Sequence, residues 1–227
     1  MCYRGYLPSV AMDDLLRYES RSVEKKLFWL LDFLFVLGLV KSIHPQPFRI
    51  EYRPGLHYHP DVLVIFQFQW LKPWLIEGKG RYFDDKKLHD EKQKFRAAIG
   101  FALKNGFIFH FVTPAQLSWV NDDILPFLLT HRGKHVPEVV QDAVLAILRR
   151  HGPMSPHDIP SFCKHDHSID VTVEQVWRLA ADGKVFCDLR SNQFKTVVAA
   201  PVPIKILTMR KNFLFKLPFI LVRGEHD

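Results

Sequence analysis

The most apolar run of the chain, Leu27 to Val40, follows a polar stretch from Glu19 to Lys26 and is broken by Gly38. That pattern predicts a buried core helix with Ser20 or Ser22 as N-cap and Glu24 in an acidic first turn. Ahead of it, residues 1 to about 17 show no clear period and read as a mixed arm. Behind it, the two prolines of Ile43-His44-Pro45-Gln46-Pro47 enforce extended backbone, and the alternation through Tyr52 predicts a strand. Arg53-Pro54-Gly55 reads as a turn. A second strand starts at His57 and runs through Val62 to Phe66, Leu71-Lys72-Pro73 breaks it, and Trp74-Leu75-Ile76 predicts a third, giving a meander.

Asp84-Asp85 then caps a long amphipathic segment that stops near Asn105-Gly106. It carries Lys86, Lys87, Lys92, Lys94, Arg96 and Lys104, a pattern that suits a solvated face and a surface tracking a phosphate backbone equally well. Phe107 to Val112 is nearly continuous apolar sequence, as expected of a central strand covered on both faces. Together these elements predict an α/β fold, a mixed sheet flanked by helices, over residues 1–130, with a short helical stretch from Leu117 to Leu129 at its end. His131-Arg132-Gly133-Lys134 reads as a linker. From 135 to 227 helical spacing at Val136–Arg150, Ser155–Cys163 and Val173–Asp182 precedes two short strands around Arg190-Ser191-Asn192-Gln193, which predicts a winged helix-turn-helix. In such a module the third helix enters the major groove, and here it offers Glu174, Gln175 and Arg178 as readers. So few basic readers leave protein docking as plausible as DNA reading. The tail from Ile204 to Asp227 mixes basic and apolar residues and suits either packing back on the domain or docking.

Composition narrows this only a little. A length of 227 residues allows one or two domains with a real core, and 48% hydrophobic with 24% charged residues excludes disordered and fibrous classes. A net charge of +7 favours a polyanionic partner without naming it. The three scattered cysteines give no disulfide framework, so a reducing, cytoplasmic setting is expected. The N-terminal residues lack the pattern of a signal peptide, and the Leu27–Val40 run is too short to span a bilayer and carries Asp32; no membrane insertion is expected. Cys163, His165 and His167, with His157 and Cys187, have a spacing that matches no closed zinc site, and read as loop histidines beside a buried cysteine.

The chemistry is concentrated in His59-Pro60-Asp61 and Glu77-Gly78-Lys79. Asp61 opens one apolar run, and Glu77 and Lys79 close another, so a hairpin brings the three ionisable heads together. A hard cation such as Mg²⁺ takes one or two carboxylates and keeps waters that phosphate oxygens can replace. Asp61 and Glu77 supply carboxylates, Gly78 supplies only its backbone carbonyl, and strand alternation puts Glu77 and Lys79 on one face. A lysine there orients or deprotonates an attacking water. The predicted reaction is phosphodiester hydrolysis; the plain alternative is a hairpin with charged ends. By position alone Glu24 reads as a first-turn acid complementing the helix dipole.

Ser22-Val23-Glu24, Gln46-Pro47, His59-Pro60-Asp61 and Glu77-Gly78-Lys79, in this order and ahead of a winged-helix-like half, resemble TnsA, the endonuclease subunit of heteromeric DNA transposases, over roughly residues 18 to 200. The resemblance implies a restriction-endonuclease-like fold in which Glu24 joins Asp61, Glu77 and the Gly78 carbonyl as metal ligands. Lys79 acts on the water or the scissile phosphate. It further implies Mg²⁺, with Mn²⁺ as substitute, as two ions about 4 Å apart. Cleavage is expected at the 5′ ends of a transposon in double-stranded DNA, in a nucleoid-associated cytoplasmic setting. The implied partners are a DDE transposase and an AAA+ ATPase regulator that contacts the C-terminal half. Gly78 departs from the family, which usually has an aliphatic residue there. Two other functions fit the same residues: a stand-alone restriction or repair nuclease, and a noncatalytic DNA-binding adaptor that keeps the fold.

Overall fold

The computed structural model describes residues 5–18, 23–80 and 85–201, and of 85–90 the backbone alone. The chain is mixed α/β and divides into two units, Met1–Ser118 and Trp119–Asp227.

The unperiodic arm is an antiparallel hairpin of β1 (Gly5–Ser9) and β2 (Asp14–Tyr18). Its alternation is real but short: Leu7, Ser9, Leu16 and Tyr18 are buried while Tyr6 and Leu15 face solvent. Helix α1 (Glu24–Val36) follows, with Val23 at its N-cap position; Ser20 and Ser22 lie outside the described residues. Asp32, the acid within the apolar run, is buried in α1 and accepts hydrogen bonds from Ser9 Oγ at 2.8 Å and the Ala11 N–H at 3.1 Å. A buried carboxylate is tolerated when its lone pairs are used in this way, and here the use is to fasten the hairpin to α1. Gly38, at φ +72°, ends the helix in the left-handed region as expected.

After α1 come β3 (Val40–Pro45), β4 (Ile50–Arg53), β5 (Leu56–Tyr58), β6 (Val62–Phe66), β7 (Trp74–Gly78), α2 (Asp85–Lys104) and β8 (Ile108–Val112). Four of the strands form one sheet in the order β3-β6-β7-β8, antiparallel except for the parallel β7–β8 pair closed by the α2 crossover. The expected meander is corrected at one residue. Gln46 has φ +43°, which stops β3 and turns the chain, so Ile50 to Tyr58 pairs as a separate β4–β5 hairpin instead of continuing the first strand. β8 is also not central. It pairs with β7 alone among the described strands, and Ile108 is exposed, so its apolar run covers an edge. The hairpin and α2 cover one sheet face, where Ile50, Tyr58, Leu63, Leu75, Ala98 and Ala102 are packed together. Asp84, the expected cap of α2, lies outside the described residues.

The second unit begins earlier than the 131–134 linker suggests. Helix α3 (Ile124–His131) packs on α6 (Val173–Ala181), with the Phe127 ring edge-on to Trp177 at 4.9 Å, so α3 belongs here and not with the sheet. Between them run α4 (Glu138–His151) and α5 (Ile159–His167). Strands β9 (Phe186–Cys187) and β10 (Val198–Ala199) pair antiparallel, and Met154 bridges to Val198. The connection between them is longer than expected and is held by buried Asp188, which Arg190 grips through Nη2 at 2.8 Å and Nε at 3.0 Å. The tail from Ile204 onward lies outside the described residues. Among those described, no helix is long and apolar enough to cross a membrane.

Candidate active site

The end of β7 and the start of α1 meet at Gly78. A Cβ built on Gly78 would stand 3.0 Å from Val23 Cγ1, 3.4 Å from Asp61 Oδ2 and 3.8 Å from Glu24 Cγ. The first turn of α1 thus approaches this strand closely enough that a side chain at Gly78 would press on Val23. The approach places Glu24 beside Asp61. Asp61 ends its loop just before β6, and its Oδ2 accepts the Gly78 N–H at 2.6 Å. Both carboxylates line a pocket of about 110 Å³ together with Arg17, Phe28, Pro45 and Gln46. Gln46 enters this lining from its left-handed turn, with its N–H bonded to the Asp61 carbonyl at 2.8 Å.

Glu77 and Lys79 are brought together as alternation predicts, with Lys79 Nζ 2.7 Å from Glu77 Oε1. Their partners lie on the sheet face covered by the hairpin and α2. Tyr58 Oη donates to Glu77 Oε2 at 2.5 Å, and Lys79 Nζ is 2.9 Å from Glu91 Oε2 of α2. Gly78 directs its missing side chain toward Val23, so β7 sends Glu77 and Gly78 to opposite faces. The expected trio is therefore spread over a chain, Tyr58–Glu77–Lys79–Glu91, and a pair, Glu24 and Asp61, that lines the pocket, with Glu77 the strongest neighbouring charge on Asp61. No three acidic, histidine or cysteine side chains among the described residues are grouped tightly enough to hold a metal ion as they stand. Of the four residues expected around one centre, Glu24 and Asp61 line the pocket, Gly78 adjoins it, and Glu77 is held by Tyr58 and Lys79.

The electrostatics follow from this arrangement. Burial, together with the neighbouring charges of Glu77 and Glu24, pushes the Asp61 carboxyl well above the usual range. The Gly78 N–H and Lys79 oppose the shift without cancelling it. Burial alone would lower Lys79, but Glu77 and Glu91 outweigh it and hold the ammonium above its ordinary value. Burial and the adjacent Glu77 raise the Tyr58 hydroxyl, which stays a donor. Lys79 is thus held as a cation by its two carboxylate neighbours.

Sequence reasoning missed Arg17, Tyr58 and Glu91, and gave Gln46 no role. Tyr58 and Glu91 carry no local signal, because each reaches the site only through packing of the hairpin and of α2. His165 and His167, expected in a loop, lie in α5 with buried Cys163, and His165 Nδ1 is 2.7 Å from Asp166 Oδ1. The three expected DNA readers of α6 are engaged within their own helix. Gln175 caps it by accepting the Thr172 N–H at 2.8 Å, Arg178 pairs with Glu174 at 2.5 Å, and Glu174 is the one exposed residue of the helix. No protein family matches the chain, and no curated protein matches it.

Proposed function

We propose that this chain is a metal-dependent DNA endonuclease with a restriction-endonuclease-like first unit and a winged-helix second unit, acting as the TnsA-like subunit that cuts the 5′ ends of a transposon. The observation that carries the reading is the convergence of Glu24 and Asp61 on one pocket, with the strand bearing Glu77 and Lys79 pressed against α1 at Gly78. Buried carboxylates are ordinarily paired or coordinate metal, and half-buried Asp61, which accepts the Gly78 N–H, stands beside the like charges of Glu77 and Glu24. The residues fit a hard divalent cation: Mg²⁺ needs only one or two carboxylates, the rest of its shell being water and phosphate oxygen. Glu24 and Asp61 would hold it, with Glu77 adjacent. Such an ion supplies Lewis acidity at the phosphoryl oxygen and a lowered pKa for its water.

The chain's own groups do the remainder. Lys79, kept protonated by Glu77 and Glu91, offers fixed positive charge where negative charge develops on phosphorus. Tyr58 holds Glu77 in its orientation. The covered, self-paired α6 is a poor reader of base edges, which favours a division of labour in which a DDE transposase supplies end recognition and an AAA+ regulator contacts the C-terminal half. The test is strand-specific mapping of cleavage on DNA carrying the element's ends, with Mg²⁺ or Mn²⁺, with and without the transposase. Cuts at the 5′ ends that vanish in Asp61→Asn and Lys79→Ala support the reading, and equal cutting by those variants sinks it. Cleavage without any partner would instead indicate a stand-alone nuclease.

A second reading draws on Glu77 being engaged by Tyr58 and Lys79 and not lining the pocket: a noncatalytic adaptor that keeps the fold. It predicts no Mn²⁺ binding that depends on Asp61.

A further inference from the structure

The pocket that holds Glu24 and Asp61 is also lined by Arg17, a residue from an element distinct from those that carry the acids. Lys79, whose ammonium is bound between Glu77 and Glu91, is not part of this pocket's lining. Arg17 is therefore the basic side chain at the pocket itself among the described residues. Its strand is well fixed. Leu16 and Tyr18, its neighbours in β2, are buried, and the hairpin is fastened to α1 through Asp32. In register it stands opposite Tyr6 on the solvent face, so the guanidinium reaches the pocket from outside rather than from the core.

A second cavity, of about 650 Å³ and open to solvent, shares Pro45 and Gln46 with the acidic pocket and continues past His44 and Ser42 along the edge strand β3. Extended substrate with its reacting group in the small pocket therefore has a way out past Pro45 and Gln46. Guanidinium presents a planar fork of donors that matches two oxygens of a phosphate, and it stays charged at every relevant pH. Once a divalent cation neutralises the two carboxylates, the phosphate still has oxygens that need donors, and this fork is placed to supply them.

We infer that Arg17 is a catalytic residue that grips the scissile phosphate from the N-terminal hairpin, and that the phosphodiester strand leaves over the β3 groove. This rests on the endonuclease reading above. The competing role for Arg17 is a structural counter-ion to the pocket acids, and the two differ in what removal does to the metal. In the full chain, Arg17→Ala and Arg17→Lys are compared with the parent by calorimetric titration with Mn²⁺ and by nicking of a supercoiled plasmid carrying the element's ends, with the transposase present. The expected result is Mn²⁺ affinity held within about 2-fold or tightened, nicking slowed by ~10²-fold in Arg17→Ala, and partial recovery in Arg17→Lys. Arg17→Ala that nicks like the parent, or loses Mn²⁺ binding along with nicking, overturns the inference while the endonuclease reading stands. A parent that neither binds Mn²⁺ nor nicks removes both.

Discussion

Asp61 is the residue on which stability and function pull in opposite directions. Its carboxyl is raised in the folded chain by burial and by Glu77 and Glu24. Its contribution to stability is therefore full below the unfolded value of about 3.9 and is lost as pH rises through the higher folded value. Asp61→Asn keeps an acceptor for the Gly78 N–H and removes the charge. Without metal at pH 7 its Tm should rise, by roughly 2–4 °C for each kcal/mol of repulsion relieved, and the stability gained by the parent on adding Mn²⁺ should disappear. A lower Tm in thermal denaturation would mean that the like-charge crowding has been misread. Gly78→Ala makes a steric prediction at the same place. Its Cβ meets Val23 at 3.0 Å, so a loss of ~1–3 kcal/mol is expected by urea denaturation, and Val23→Ala in the same chain should recover part of it. Tyr58→Phe strips buried Glu77 of a donor and should cost ~1–3 kcal/mol in the same assay.

Among the elements, the β1–β2 hairpin matters most and was the least legible. Its strands have five residues each, too few for an alternation to stand out, and the clue to its docking is Asp32, which in the sequence is an isolated acid in an apolar run. Asp32→Ala leaves Ser9 Oγ and the Ala11 N–H without their acceptor and should destabilise the chain by ~1–3 kcal/mol in urea. With Arg17 dependent on the same anchor, DNA cleavage should fall more than α1 helicity does by circular dichroism. α1, α2 and β6 to β8 were legible because their apolar runs are long or end in Gly38 and Gly106. The break at Gln46 was not, since a left-handed glutamine has no sequence signature; beyond it Ile50 to Tyr58 pairs as a separate hairpin that brings Tyr58 to Glu77. Glu24 shows the limit from the other side. Its position permits a dipole role, and only the family resemblance pointed it toward Asp61, where the close approach at Gly78 now puts it.

At the scale of the whole chain, two units were readable from the change of pattern, yet the boundary moved because α3 is apolar enough to need a partner and finds it in α6. That covering has a functional consequence. Arg178 is tied to Glu174, so Arg178→Ala should leave affinity for a labelled duplex within about 2-fold in fluorescence anisotropy. Binding as a whole should still weaken steeply with salt, as a net charge of +7 implies. Whether the acidic pocket takes a divalent cation is read most directly by a calorimetric titration of the full chain with Mn²⁺, repeated across pH. Saturable binding is predicted in the parent, with affinity rising and protons released as pH climbs toward the raised Asp61 titration, and with binding lost in both Glu24→Gln and Asp61→Asn. Absence of binding in the parent, or binding untouched by those two substitutions, would contradict it.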